Sequence, residues 1–176
     1  MRKIAFVGLI VALFSLTAFA GETDHPKAEV YGGYQFTRTS IEGTGINFNG
    51  FNFGATGNFN DHFGITADFG ASYKSENGAS LHNYTYTFGP QLALRANKGY
   101  TPFVHALIGG NRMTFGLTGV GSDSGNGWAV LAGGGVDINM NRYAAVRVGA
   151  DWMMLHGGGE TFSKNFRMPV GIVLKF

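Results

Sequence analysis

Along most of this chain, apolar and polar side chains alternate one by one. The last eleven residues, FRMPVGIVLKF, set Phe166, Met168, Val170, Ile172, Leu174 and Phe176 on one side of an extended strand and Arg167, Pro169, Gly171, Val173 and Lys175 on the other. The same period opposes Phe63, Ile65, Ala67, Phe69, Ala71 and Tyr73 to Gly64, Thr66, Asp68, Gly70 and Ser72. It also opposes Val146, Val148, Ala150, Trp152 and Met154 to Arg147, Gly149, Asp151 and Met153. Eight such segments can be traced, at residues 28–38, 48–59, 62–74, 82–95, 100–113, 128–140, 143–155 and 165–176. Each is about twice the length of a typical soluble strand and long enough for a tilted strand to cross a bilayer, which takes about 9–11 residues. The pattern predicts an all-β chain.

The connections alternate as well. Asn60-Asp61, Ala96-Asn97-Lys98-Gly99 and Asn141-Arg142 are compact turns, whereas TSIEGTGIN, SENGAS, GLTGVGSDSGNG and HGGGETFSK are longer and polar. Short turns therefore share one end with both termini, and long loops share the other. This predicts an eight-stranded antiparallel transmembrane β-barrel.

One face of each strand is apolar throughout. The other carries glycine, small polar groups and a few ions, too little solvating charge for an outer surface but well suited to a narrow lumen that only side chains can fill. Tyr31 and Phe103 are expected to occupy that lumen. Its charges balance: Glu29, Asp68, Asp137 and Asp151 against Arg95, Arg147, Arg167 and Lys175, with Gln91, His105 and Asn111 beside them. Equal numbers predict a paired structural network, since unpaired charges in a low-dielectric interior are costly. An ion path would need continuous water. Tyr34, Phe36, Phe63, Tyr84, Trp152 and Phe176 fall on the apolar face, as interfacial girdles require. Pro102 lies near a strand start, but Pro90 and Pro169 lie within strands and are expected to need bulges or local fraying.

Before these segments, MRK precedes the apolar run IAFVGLIVALFSL and the small-residue site Ala18-Phe19-Ala20. Residues 1–20 are therefore expected to be a cleaved export signal, leaving 21–176 as one barrel domain. The 13 Lys and Arg against 11 Asp and Glu give the whole chain a charge of +2. Loss of Arg2 and Lys3 with the signal makes it neutral, so no basic stripe for nucleic acid remains. Twenty-nine glycines disfavour a helical fold. The absence of cysteine removes both disulfides and a lipid-acceptor thiol.

The stretches AEVYGGYQFTR, GNFNDHFGITADFG, GWAVLAGGGVDINMNRYAAVRVGADW and GIVLKF resemble the small bacterial outer-membrane β-barrels of the OmpA transmembrane domain and OmpX kind, within the porin-like barrel family. The resemblance spans the whole mature chain. It implies an integral protein of a Gram-negative outer membrane, delivered by periplasmic chaperones, folded by the barrel-assembly machinery, monomeric, and in contact with outer-membrane lipid and lipopolysaccharide. In that family a terminal Gly-x-x-apolar-x-aromatic pattern addresses the chain to the machinery; Gly171, Leu174 and Phe176 match it.

No catalytic residue, cofactor or metal is expected. Neither GTGINFNG nor GVGSDSGNG forms a phosphate loop, and His25, His62, His82, His105 and His156 lack metal-ligand spacing. Ser80 and His82, two apart and hence on one face, raise a lipid A-modifying enzyme as an alternative, but no orienting acid is evident. A small-solute pore would need a wider lumen, and a secreted lipocalin-like carrier would bury its apolar face inside. The leading expectation is a structural or surface-interaction barrel whose loops at 116–127 and 157–163, with Asp123, Glu160 and Lys164, meet an external partner.

Overall fold

The computed structural model describes residues 25–41, 44–76, 79–117, 121–157 and 159–176. The expected export signal, residues 1–20, lies outside them. The strands are β1 (Ala28–Ile41), β2 (Thr44–Asn58), β3 (Phe63–Glu76), β4 (Ala79–Ala93), β5 (Tyr100–Leu117), β6 (Gly121–Asn139), β7 (Ala144–Gly157) and β8 (Glu160–Lys175). Each pairs antiparallel with its sequence neighbours, and β1 pairs with β8 to close the barrel.

The three short turns share one device. Asn60 Oδ1 accepts the N–H groups of His62 and Phe63, Asn141 Oδ1 those of Tyr143 and Ala144, and Asn97 Oδ1 that of Gly99. An asparagine side chain thus satisfies the turn's own amides. At the opposite end the ladders run well into what the sequence marks as loops: Phe115 pairs with Asp123, Leu117 with Gly121 and Gly157 with Glu160. Gly121 and Gly159 take φ of +121° and +85° at those tips, which L side chains rarely adopt.

Partners followed round the barrel from Thr37 run through Arg167, Asp151, Gly133, His105, Gln91 and Gly64 to Asn58. The Asn58 N–H bonds the Lys27 carbonyl at 2.8 Å, so the row returns to the first strand ten residues below its start. Closing eight strands with a stagger of this kind tilts them by about 35–45° and leaves an interior only as wide as its side chains.

The polarity is the inverse of a water-soluble protein's. Glu29, Gln35, Thr66, Asp68, Asp137, Asp151 and Arg167 are buried inside, while Tyr34, Phe53, Ile65, Phe88, Val104, Ile108, Val148 and Ile172 are exposed outside. Of the expected girdle aromatics, Tyr34, Phe63, Trp152 and Phe176 are exposed on this outer face, and Phe36 and Tyr84 are half-buried among neighbouring side chains.

The prolines interrupt ladders without shifting them. Pro90 keeps its pairing with Ile65, but between Phe88↔Ile108 and Gln91↔His105 no pair forms with β5. Pro169 keeps Gln35, and the break falls on the β7 side between Val148↔Val170 and Asp151↔Arg167. A strand residue offers its N–H to one neighbour only, so each proline costs one ladder and spares the other. The irregularity of register lies elsewhere, between Met153 and Leu155.

Candidate functional site

Two ion-pair groups cross the lumen. Nearer the termini, Arg147 lies opposite Asp137 on the neighbouring strand and donates from Nε to Asp137 Oδ1 at 2.7 Å and from Nη2 to Oδ2 at 2.8 Å. Its Nη2 also reaches Glu29 Oε2 at 3.4 Å, and Arg95 donates to Glu29 Oε1 at 2.9 Å. The guanidinium sits between two rings, 4.6 Å from the centroid of Tyr31 and 4.3 Å from that of Phe103. Such a bidentate, ring-stacked cation uses the planar geometry that lysine lacks.

Deeper in the barrel, Arg167 bridges Asp68, with Nη1 to Oδ1 at 2.6 Å, and Asp151, with Nε to Oδ2 at 2.8 Å. Tyr31 donates its hydroxyl to Asp68 Oδ2 at 2.7 Å and so joins the two groups. His105 Nε2 meets Asp151 Oδ1 at 2.9 Å although a whole strand separates them. It crosses at Gly133, its direct partner, where a Cβ would collide with the Asp151 carboxylate. Gly54 clears space for Tyr31 in the same manner.

The eight expected lumen charges therefore all point inward, but not as four separate pairs. Glu29, Arg95, Arg147 and Asp137 form one chain; Asp68, Arg167 and Asp151 form another, extended by His105. Lys175 differs, since its Nζ donates to the neutral Asn139 Oδ1 at 2.6 Å. Gln91 accepts from Thr66 at 3.1 Å. Between the two groups, among Tyr31, Phe103, Arg147, Arg167 and Pro169, the remaining space is about 10 Å³, about enough for one water. Toward the end remote from the termini, Leu107, Ala129, Leu131, Met153 and Leu155 form an apolar cluster inside the lumen.

Ser80 and His82 share the outer face of β4, and the His82 ring packs edge-on against Tyr73 at 5.2 Å. Among the described residues no carboxylate bonds to His82, and no cluster of three or more His, Asp or Glu is placed to hold a metal. Gly171, Leu174 and Phe176 lie along β8 and just beyond it; Leu174 and Phe176 face outward, and Gly171 packs against β1, where a Cβ would meet the Gly32 backbone.

The model of the outer membrane protein β-barrel domain matches residues 6–171. The chain belongs to this family. No curated protein matches it by sequence. Among solved structures, this outer-membrane barrel is similar to Neisserial surface protein A, with a TM-score of 0.75 at 12% identity over 88% of this chain and 100% of that one. Ail, the attachment invasion locus protein of Yersinia pestis, superposes with a TM-score of 0.64 at 18% identity, covering 86% and 99% of the two chains. OprG of Pseudomonas aeruginosa gives 0.60 at 13%, covering 86% and 97%. At such identities the likeness is one of fold. The family places this eight-stranded barrel in the outer membrane.

Proposed function

We propose that this outer-membrane barrel is a closed, non-conducting scaffold with a structural or surface-interaction role. The observation that carries the reading is the cross-section at Arg147 and Arg167. Two guanidiniums, the rings of Tyr31 and Phe103 and the carboxylates of Asp68 and Asp151 line the space between them, leaving about 10 Å³. Each cation there is held by at least two anionic or aromatic partners, so opening a path would strand buried charge.

In this reading the short-turn end, with the termini, faces the periplasm, and the extended hairpins carrying Glu160 and Lys164 face outward toward lipopolysaccharide or another cell-surface partner. The chain would be exported with loss of residues 1–20. Periplasmic chaperones would then hand it to the assembly machinery, with Gly171, Leu174 and Phe176 as the address, and it would stand as a monomer. No catalytic role is assigned to Ser80 or His82.

Planar-bilayer recording of the refolded protein tests closure. The expected trace lacks reproducible ohmic steps, whereas steps of constant conductance would replace the scaffold with a small-solute pore. Lipid A mass spectra from cells with and without the gene should be identical; a changed acylation pattern would restore the enzyme reading.

A further inference from the structure

At the end of the barrel remote from the termini, the inward faces of β5 to β8 enclose a half-open pocket of about 250 Å³. It exists because inward positions there lack side chains. Asn111 on β5, Gly127 on β6 and Gly157 on β7 stand in one row across the sheet, and in the next inward row toward the mouth Met113 faces Gly125. A Cβ at Gly125 would meet no atom within 4 Å, and one at Gly157 none nearer than 3.8 Å. The middle of this arc is therefore bare backbone. Asn111 and Met113 wall it on one flank, and Leu155, with Phe162 opposite it on β8, walls the other. With β6 between them, β5 and β7 stand about 10 Å apart, which leaves room for one flat ring system over the glycines.

One polar group belongs to this depth. Asn111 is 3% exposed, and its Oδ1 has no hydrogen-bond partner in the protein. A Cβ at the opposite position, Gly127, would stand 2.7 Å from that oxygen, so the glycine leaves the acceptor uncovered on its β6 side. No charged side chain among the described residues joins it there. Asp123, the carboxylate at the rim, faces Phe115, four residues along β6 from Gly127 and thus about 13 Å of strand away. The His156 ring turns outward and stacks on Trp128 at 5.2 Å. An ionic ligand at Asn111 would lose its hydration without gaining a counter-ion. A neutral one with an N–H or O–H would satisfy Oδ1 and bury the rest of its surface against apolar walls.

We propose that this pocket binds a small, neutral, flat compound with one hydrogen-bond donor, the donor on Asn111 Oδ1 and the ring over Gly125 and Gly127 between Met113 and Leu155. Its volume lies just below the usual range of about 300–1,000 Å³ for small-molecule sites, which restricts the ligand to one or two fused rings. A closed lumen below the pocket is compatible with this site but not required by it.

The test uses the full barrel in lipid nanodiscs with ¹³C-methyl methionine. Indole and benzofuran, alike in shape but only the first with a donor, are titrated in turn. The Met113 methyl signal should move saturably with indole, while Met168, on the lipid side, shows no saturable shift. Indole should bind about tenfold more tightly than benzofuran. Asn111→Leu, close in shape but without the acceptor, should abolish that preference and keep benzofuran binding. Gly125→Leu, whose side chain enters the bare arc, should abolish binding of both compounds while the unboiled barrel migrates unchanged. Absence of a saturable Met113 response up to about 5 mM indole, equal affinity for the two compounds, a preference surviving in Asn111→Leu, or unimpaired binding in folded Gly125→Leu would each overturn the proposal.

Discussion

A buried arginine with two carboxylates is a different object from one with a single carboxylate. Arg167 holds Asp68 and Asp151 together, so Arg167→Ala would leave two carboxylates facing each other, with only Tyr31 and His105 as donors. The expected loss is about 3–5 kcal/mol in urea unfolding from lipid vesicles. Arg95→Ala leaves the buried Glu29 still paired with Arg147 and should cost less, about 1.5–3 kcal/mol. Equal losses for the two would show that the deeper group is not a unit. That these residues point inward was legible from parity alone, because a strand's period of two sorts every side chain. Their partners were not legible. Which aspartate meets which arginine depends on the ten-residue stagger and on one missing side chain at Gly133, and no count of charges contains either.

At the scale of the strand, alternation reads a β-segment only where its two faces meet different surroundings. Past the membrane both faces of a hairpin meet water, so the ladder continues through GSDSGNG with no apolar period to announce it. This is why the sequence places the outer strand ends several residues too early. The prolines illustrate the converse. Proline within a closed sheet suggests a bulge, but one ladder per residue can be lost in place, and Gly149 leaves the Pro169 ring room. A Cβ at Gly149 would stand 3.1 Å from Pro169 Cγ. Gly149→Val should therefore press on that ring and lower stability by about 1–3 kcal/mol, read as a shift in the urea midpoint. An unchanged midpoint would mean that the Pro169 ring is not held in place. On the outside, the Tyr86 ring lies over its cross-strand partner Gly110, where any Cβ would collide with it. Gly110→Ala should displace the ring and slow folding into vesicles.

For the whole molecule, closure has a direct signature. On an unboiled gel the folded barrel should migrate apart from the boiled chain, and outer-membrane fractions should contain the fast-migrating form; a single band in both lanes would contradict a sealed cylinder of this stability. The fold was legible at this scale because a bilayer demands the same strand length eight times over. The last residues also matter in time. Glu29 pairs with Lys175 and Thr39 with Asn165, so the opening strand of the wall waits for the final stretch of chain to be delivered. Until then both rims of a growing sheet are bare, ready to accept any passing strand. On the proposed export route, N-terminal end first, those rims stay bare through nearly the entire passage, until the last dozen residues arrive.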